Sequence, residues 1–261
     1  MPSAVIVERL TKDFQVGFWR RRPHRALDNL SLEIPRGAVF GLLGPNGAGK
    51  STTLKLLLNL LRPTSGRIEV LGAPPGSTAA RARLGFLPEN PSFYDHLTAE
   101  ELLIYFAGLF GYRGDAARRR AAGLLERAGL AADARKPLRQ FSKGMLQRVG
   151  LAQALVNDGE LVILDEPMSG LDPIGRREVR EMILRLRDEG RTVVFSSHVL
   201  SDAEMLCSRV GILAKGRLVA AGTVADRTTR ARRNVHAGLL HLFAGYHQST
   251  LHPDGYRRTQ S

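Results

Sequence analysis

The stretch Gly44-Pro45-Asn46-Gly47-Ala48-Gly49-Lys50-Ser51-Thr52 decides the fold of this chain. It fits the pattern G-x-x-x-x-G-K-[ST], in which backbone N–H groups surround a phosphate because glycine places no side chain in their way. Residues 38–43 before it are an apolar run, and residues 53–61 after it are rich in leucine. A buried strand, a loop and a helix N-terminus are therefore predicted, and the helix dipole favours an anion there. The plain alternative is a glycine-rich turn with a chance lysine.

A phosphate loop of this kind needs particular side chains around it. Lys50 is expected to reach the β- and γ-phosphates of a nucleotide, and the Ser51 hydroxyl to bind Mg²⁺. A second, acidic strand must then help to hold the ion and orient a water. Residues 161–164 are four apolar residues, typical of a strand buried on both faces, and Asp165 and Glu166 follow them. Asp165 is predicted to join the Mg²⁺ shell.

The neighbouring acid and a histidine complete this predicted constellation. Glu166 suits the role of accepting a proton from the attacking water or orienting it. His198 ends another predicted buried strand, residues 192–198, from which it could bond the γ-phosphate on the far side. Acids and histidines at strand ends are common, so none of these residues decides the function alone.

Composition limits the class of protein. The 261 residues are 43% hydrophobic and 24% charged, as in an ordinary globular protein with a substantial core. The single cysteine, Cys207, excludes an internal disulfide and is expected to be a small buried apolar residue. Residues 1–14 lack the apolar core of a secretory signal, and no stretch reaches the roughly 18 apolar residues of a spanning helix. Any membrane role is therefore expected to come through a partner.

The net charge of +13 is strongly basic, and part of the excess is clustered, as in residues 20–25 and 118–120. Nucleic acid, anionic lipid and nucleotide are all compatible partners on this ground. Solvated basic faces without a partner are the alternative.

Hydrophobic patterns predict an α/β chain with a helical segment inside it. Strands are predicted at 4–7, 30–34, 67–71, 83–88, 160–167 and 192–198, and a hairpin at 210–222. A basic loop is predicted at 15–25. Residues 89–155 are mostly helical, with helices at 102–110, 118–128 and 143–156; a further helix is predicted at 176–187. Thr98 and Ser201 each have the spacing of a capping box.

The pattern weakens after Asp226. Residues 227–261 are basic and contain four of the seven histidines, His236, His241, His247 and His252. A metal site is conceivable, but their spacings match no standard ligand pattern. A poorly ordered tail is the prediction.

Five motifs, in their order and approximate spacing, resemble the nucleotide-binding subunit of ATP-binding-cassette (ABC) transporters. They are residues 44–52, the run Phe141-Ser142-Lys143-Gly144-Met145-Leu146-Gln147-Arg148, residues 161–167, the run Ser169-Gly170-Leu171-Asp172, and His198. The resemblance covers about residues 3–226. A phosphate loop alone is shared by many ATPases and GTPases, but the whole series is very specific.

The resemblance implies a fold and a site. The fold is an α/β P-loop NTPase with a parallel sheet core, an antiparallel β part and an inserted helical subdomain, so that residues 1–226 form the ATPase domain and about 89–155 the insertion. The implied cofactors are ATP and Mg²⁺. Catalytic residues are then Lys50, Glu166 and His198, and the Mg²⁺ site comprises Ser51, Asp165 and Glu89. Nucleotide-binding residues are Phe14, which could stack on adenine or be an ordinary aromatic, the loop from Gly44 to Thr52, and Ser142, Gly144 and Asp172.

The resemblance also implies partners. Two cassettes, identical or related, form a head-to-tail dimer with ATP between the phosphate loop of one and residues 141–145 of the other, and Asp172 links the two sites. A separately encoded permease places the pair at the cytoplasmic face of the membrane, and the motifs lean towards export. Phe93 and Tyr94 are expected either to bind the permease or to be core residues. No specific nucleic acid is expected.

Three departures from the family pattern stand out. Lys143 and Met145 replace glycine and glutamine in the common signature Leu-Ser-Gly-Gly-Gln, whereas Ser142 and Gly144 are retained. Glu89 stands where glutamine is usual, so it can face Mg²⁺ or water but donates no hydrogen bond. The tail after residue 226 lacks the sequence that many export-type subunits carry there.

Two rival functions remain open at this point. One is a soluble cassette ATPase acting on DNA or ribosomes, which the basic charge would suit. Against it, the chain holds one cassette and no sustained heptad run. The other is a subunit that binds ATP without hydrolysing it.

Overall fold

The structure, a computed structural model, describes residues 2–17 and 22–224. The predicted tail with its four histidines lies outside the described residues. The strands are β1 (Ser3–Val16), β2 (Arg22–Pro35), β3 (Val39–Leu43), β4 (Ser65–Val70), β5 (Leu84–Leu87), β6 (Leu161–Leu164), β7 (Thr192–Ser197), β8 (Arg209–Ala214) and β9 (Arg217–Thr223). The α-helices are α1 (Lys50–Leu57), α2 (Thr78–Arg81), α3 (Ala99–Leu109), α4 (Gly114–Arg127), α5 (Lys143–Ala154), α6 (Pro173–Asp188) and α7 (Leu200–Leu206).

Two sheets form the body of the described chain. The larger has the order β5-β6-β7-β3-β8-β9, in which all neighbours are parallel except the final hairpin β8-β9. The smaller is antiparallel, with the order β2-β1-β4. The prediction of a parallel core with an antiparallel part is therefore confirmed.

The central strands explain where the functional residues meet. Every residue of β3, β6 and β7 is buried, as expected for parallel strands covered on both faces. Leu43 pairs with Ser197, and Leu164 pairs with Phe195, so the three strands end at the same edge of the sheet. Ligands of open α/β sheets bind at the carboxyl ends of the strands.

Helices α3, α4 and α5 lie between β5 and β6 in the chain. Their buried side chains belong to one continuous apolar cluster with residues of β6 and β7, including Leu164 and Phe195. A second cluster fills the space between the two sheets around Phe40 and Leu54. The helical segment therefore packs directly on the sheet that carries the site.

Two predicted helix starts had different outcomes. At α3, the Thr98 hydroxyl accepts the Glu101 N–H at 3.2 Å and a Glu101 carboxylate oxygen accepts the Thr98 N–H at 2.8 Å, which confirms the capping box. The capping box predicted at Ser201 is wrong, because α7 begins at Leu200 and places Ser201 inside its first turn. The Val199 N–H is bonded instead to the Ser197 hydroxyl.

Three further outcomes concern local structure. The basic loop predicted at 15–25 is too long, because β1 and β2 remain paired as far as Val16 and Arg22. The helix after the phosphate loop begins earlier than predicted and ends at Leu57, because Asn59 adopts a positive φ of 56°. Cys207 is buried, and burial raises the pKa of its thiol, as expected of an inert apolar residue.

Candidate active site

The loop between β3 and α1 requires glycine at two points. Gly44 and Gly49 have φ values of 154° and 105°, and a Cβ at Gly44 would collide with the Leu213 carbonyl oxygen. A Cβ at Gly49 would lie 2.8 Å from the Ala26 carbonyl oxygen. No side chain caps the first turn of α1, and that turn contains no acidic residue. Its N–H groups are therefore available to an anion in the adjoining cavity.

Lys50 is held inside this loop. Its ammonium donates to the carbonyl oxygens of Gly44 at 2.7 Å and Pro45 at 3.2 Å, and lies 3.1 Å from a carboxylate oxygen of Glu166. The side chain is only 5% exposed. A buried ammonium is tolerated because a carboxylate and hydrogen-bond acceptors surround it. The loop thus places the Lys50 ammonium beside the carboxylate of Glu166, which follows β6.

The two acids after β6 are joined through serine hydroxyls. Ser51 Oγ donates to Asp165 Oδ1 at 3.0 Å, and Ser196 Oγ donates to the same oxygen at 2.7 Å. Ser196 Oγ in turn accepts the backbone N–H of Glu166 at 2.8 Å. Ser196 lies in β7 and was not predicted from the sequence as a site residue.

Glu166 is the most constrained residue of this group. Its φ is +47°, in the left-handed region that residues with a Cβ rarely adopt. One carboxylate oxygen contacts Lys50, and the other lies 2.9 Å from His198 Nδ1. Strained backbone of this kind clusters at functional sites, so the geometry favours a chemical role for Glu166.

A cavity of about 500 Å³ opens in front of these residues. Its lining is Phe14, His24, Ala26, Asn46, Gly47, Ala48, Gly49, Lys50, Ser51, Thr52, Glu89, Glu166, Ser169 and His198. Gly44, Pro45 and Asp165 are not part of this lining. The carbonyl oxygens of Gly44 and Pro45 accept hydrogen bonds from Lys50, and Asp165 accepts one from Ser51.

Three of the lining residues were not predicted. His24 pairs with Phe14 across β1 and β2, which the expected loop at 15–25 concealed. Ala26 is a neighbour of His24 on β2, and the N–H of Ser169 bonds the Glu166 carbonyl oxygen at 3.0 Å. The Lys12 ammonium stands 5.0 Å from the centre of the Phe14 ring, so this end of the cavity is both aromatic and basic.

The remaining predicted residues lie outside the cavity lining. Ser142 caps α5 by accepting the Met145 N–H at 3.2 Å, and Asp172 caps α6 by accepting the Gly175 N–H at 3.1 Å. The two helix starts adjoin, since a Cβ at Gly144 would lie 3.6 Å from the Gly175 Cα. We call this surface, formed by residues 142–144 and 169–175, the signature side.

Comparison with known proteins places this geometry in a family. Residues 27–169, more than half of the chain, match the family described as ABC transporter. The chain belongs to the ABC transporter family. The resemblance and the fold predicted from the motifs are thereby confirmed.

Three ABC proteins illustrate the similarity. An uncharacterized ABC transporter ATP-binding protein of Synechocystis is 50% identical over 86% of this chain and 64% of its own length. The linearmycin resistance ATP-binding protein LnrL of Bacillus subtilis is 39% identical over 77% of this chain and 65% of its own length. The chain thus spans somewhat less than two thirds of these relatives. A dimeric ATP-binding cassette in a post-hydrolysis state with ADP and Pi has a TM-score of 0.76 at 26% identity, covering 84% of this chain and 98% of that one.

These relatives support an ATP-binding cassette of the transporter type. Their descriptions name ATP binding, a transporter and resistance, and a hydrolysed nucleotide. They give no support to a protein that acts on DNA or ribosomes. In the described part of the chain, no helix is long and apolar enough to cross a membrane.

The donor set of this ABC cassette suits Mg²⁺. The Ser51 hydroxyl and the Asp165 carboxylate provide hard oxygens 3.0 Å apart, and Mg²⁺ is commonly bound by one or two such groups with phosphate oxygens and waters. Within residues 2–17 and 22–224, no cluster of three or more His, Cys, Asp or Glu side chains forms a larger metal site. Glu89 lines the cavity but is exposed and makes no hydrogen bond to Ser51 or Asp165.

The two aromatic residues expected at a permease contact differ in position. Phe93 is partly buried and packs against the apolar cluster of the helical segment, whereas Tyr94 is 66% exposed. Phe93 therefore has a packing role, and Tyr94 alone is free to meet a partner.

Proposed function

We propose that this chain is the ATP-hydrolysing subunit of a transporter whose permease is a separate polypeptide. The observation that carries the proposal is the contact of Lys50 with Glu166 at 3.1 Å inside a cavity bounded by the phosphate loop. A phosphate-binding cation and a carboxylate that can activate water are thereby side by side, as hydrolysis of a γ-phosphate requires. Cavity volume and lining suit a nucleotide rather than a macromolecule.

Binding of ATP uses three parts of the cavity. Phe14 stacks on the base, with His24 on the neighbouring strand beside it. The N–H groups at the start of α1 and the Lys50 ammonium bind the phosphates. Ser51 and Asp165 would hold Mg²⁺, which when bound would neutralise the charge that develops on the phosphate oxygens. Glu89 would contact this ion only through water, because it makes no hydrogen bond to Ser51 or Asp165.

Arrival of the phosphates changes the surroundings of Glu166. Lys50 is shared between Glu166 and any phosphate in the cavity, so binding of ATP draws the ammonium away from the carboxylate. The freed oxygen of Glu166 then accepts a proton from the attacking water. His198 keeps the other oxygen in place through Nδ1. When Nδ1 carries the proton of this bond, Nε2 donates to the γ-phosphate only in the doubly protonated imidazole.

The complete site is proposed to form between two copies of the cassette or between relatives. Ser142 accepts a backbone hydrogen bond but retains its O–H, which can donate to a phosphate of the partner's nucleotide. Gly144 leaves the N-terminus of α5 open to that phosphate. Asp172 has only acceptor oxygens and a negative charge, so its role is to link the two sites rather than to bind phosphate directly. The similar cassette with ADP and Pi is dimeric, which supports this arrangement.

The membrane partner is proposed from the family and the exposed surface. Residues 1–226 form one ATPase domain, with 89–155 as its insertion, that docks through Tyr94 on a permease at the cytoplasmic face of the membrane. The resistance function named for LnrL supports export as the direction. A Tyr94→Ala variant is expected to lose co-purification with a co-expressed permease, and Phe93→Ala to lose stability instead.

Phosphate release from ATP by the purified chain tests the proposed activity. Glu166→Gln is expected to lower turnover about 10²–10⁴-fold, the usual contribution of a general base, while ATP binding is retained. Glu204→Gln is the matched control, because Glu204 is exposed and does not line the cavity. A wild-type protein that binds Mg-ATP in both monomeric and dimeric form without releasing phosphate would contradict the proposal and support a non-hydrolysing subunit.

A further inference from the structure

Ser196 joins the two acids of the proposed site without lining the nucleotide cavity. Its side chain is fully buried in β7, beside β6. The hydroxyl donates to Asp165 Oδ1 at 2.7 Å and accepts the Glu166 N–H at 2.8 Å. A hydroxyl has a single proton, so this pair of bonds fixes both the direction of its O–H and that of its lone pair.

On the Glu166 side, the hydroxyl holds a strained peptide. Glu166 adopts a φ of +47°, which its Cβ disfavours. The rotation of the peptide plane before Glu166 sets where its carboxylate points, and Ser196 is the side chain that bonds the N–H of this plane. Loss of the hydroxyl would leave a buried N–H without a partner and free the backbone to relax.

On the Asp165 side, the hydroxyl selects an oxygen. Oδ1 accepts from both Ser196 and Ser51, and no described residue donates to Oδ2. The carboxylate is therefore held in one rotation, with Oδ2 left to other ligands. Hydrogen bonds in such a chain, from N–H through O–H to a carboxylate, strengthen one another in a buried setting.

We propose that Ser196 is a positioning residue for ATP hydrolysis, which through one hydroxyl fixes the carboxylates of Asp165 and Glu166 relative to each other. This inference rests on the proposed function. Ser196 does not line the cavity; it acts through the two acids. Replacing a side chain that holds a metal-binding or catalytic residue in place commonly lowers activity or metal affinity about 10–100-fold.

The same strand offers a matched control. Thr192 begins β7, is also buried, and its hydroxyl accepts the Gly37 N–H at 2.9 Å. Thr192→Val therefore removes a buried hydroxyl that bonds a backbone N–H, at the end of the strand away from the acids. Ser196→Ala removes the corresponding group at the site, and Ser196→Thr restores a hydroxyl there.

Turnover, ATP affinity and thermal stability of the full chain are measured for the three variants. Ser196→Ala is expected to lower kcat about 10–100-fold, with the KM for ATP and the Kd for ATP in EDTA within about twofold of wild type. Thr192→Val is expected to lower the Tm about as much as Ser196→Ala does, because each variant loses one buried hydroxyl, but to keep kcat within about twofold of wild type. Ser196→Thr is expected to recover most of kcat. A twofold change in kcat, KM or Kd is well below the tenfold change that corresponds to 1.4 kcal/mol.

A second readout does not depend on hydrolysis. Mg²⁺ added to the ATP-bound wild type is expected to raise its Tm further, by ligand linkage, and this extra rise should shrink in Ser196→Ala but not in Thr192→Val. Equal kcat in Ser196→Ala and Thr192→Val, or a raised KM with unchanged kcat, would overturn the proposal. If wild type released no phosphate, the proposed activity would fail, and an unchanged Mg²⁺-dependent Tm rise in Ser196→Ala would then overturn the role of Ser196 separately.

Discussion

The phosphate-loop side, formed by residues 44–52, and the signature side both present helix N-termini, but only those of the signature side carry a side-chain cap, which satisfies one N–H in each helix. No side chain caps α1, whereas Ser142 and Asp172 cap α5 and α6 with their side chains. The phosphate-loop side therefore has N–H groups free for an anion within one chain. On the signature side, part of each first turn is capped, and the Ser142 O–H and the adjoining N-termini of α5 and α6 remain for an external anion. This difference supports the proposal that the phosphate-loop side binds ATP by itself and that the signature side acts on ATP held by another copy.

The cations of the two sides differ in the same way. Lys50 is buried and paired with Glu166, while Lys143 is exposed and forms no ion pair among the described residues. The Lys143 ammonium lies over Gly170, where a Cβ would collide with it. A cation at the start of a helix is unfavourable for the helix itself. Lys143 is thus a candidate for contact with an anion outside the chain, which a second copy's nucleotide would supply.

The largest effect is expected from breaking the phosphate-loop side, because ATP affinity and stability are then lost together. Lys50→Ala should weaken ATP binding about 10–100-fold, because a charge-assisted hydrogen bond contributes about 1.5–3 kcal/mol. It also removes the ammonium that pairs with the buried Glu166 carboxylate and leaves only the His198 contact, so stability should fall by about 3 kcal/mol. Isothermal titration with ATP and chemical unfolding measure the two losses.

The double variant Lys50→Ala with Glu166→Gln separates these two losses. It should regain stability, because no buried charge is left unpaired, without regaining ATP affinity. Lys55→Ala on the exposed face of α1 is the control. Unchanged ATP affinity in Lys50→Ala would contradict the assignment of this side.

The next effect concerns the signature side alone. Ser142→Arg should lower turnover about 100-fold, the loss typical of removing one donor to a transition-state oxygen. The affinity of the monomer for ATP should stay unchanged, because Ser142 does not line the cavity. Phosphate release and ATP binding are measured in parallel.

Ser77→Arg is the matched control for this change, since Ser77 caps α2 by accepting the Ala80 N–H at 3.2 Å. Loss of ATP affinity in Ser142→Arg would show that the two sides are not separate. Unchanged turnover would remove the signature side from the mechanism.

A smaller effect is expected at the base end of the cavity. Phe14→Ala should weaken ATP binding about tenfold, in line with roughly 1–3 kcal/mol for stacking of a base on an aromatic ring. Binding of inorganic triphosphate should be unaffected because it has no base, and Phe14→Trp should retain ATP affinity. Fluorescence titration with both ligands checks this; an equal loss for triphosphate would place Phe14 in a structural role.

The smallest effect lies away from both sides. Asp158 accepts hydrogen bonds from Arg191 at 2.6 Å and Arg120 at 3.2 Å, and the bond from Arg191 is the main cause that lowers the pKa of Asp158 below its ordinary value of 3.8. A lowered folded-state pKa stabilises the protein above about pH 4. This contribution is lost as the pH falls through the folded-state pKa.

Asp158→Asn should therefore lower the Tm slightly at neutral pH, since the carboxylate is 58% exposed and screened. Its Tm should converge with that of wild type in acid, while ATP affinity is unchanged. Melting curves across this pH range test the expectation. A constant Tm difference at every pH would show that the ion pairs are not its cause.

The sequence predicted those parts of the site that depend on local patterns. The strand, loop and helix around residues 44–52 follow from glycine and apolar spacing, and Asp165, Glu166 and His198 meet because parallel strands end at one edge. Ser196 could not be chosen over Ser197 from the sequence, because strand register decides which hydroxyl faces the acids. His24 was assigned to a loop, since the pairing of β1 and β2 is not local. The contact of Lys143 with Gly170 likewise joins separate segments.

Light scattering of purified Glu166→Gln protein with and without Mg-ATP tests most directly whether the two sides act in different copies. We expect a monomer without nucleotide, a dimer with Mg-ATP, and no dimer when Ser142→Arg is added. A protein that remains monomeric at saturating ATP, with binding verified by titration, would show that the signature side of one copy of this chain does not act on ATP held by another copy.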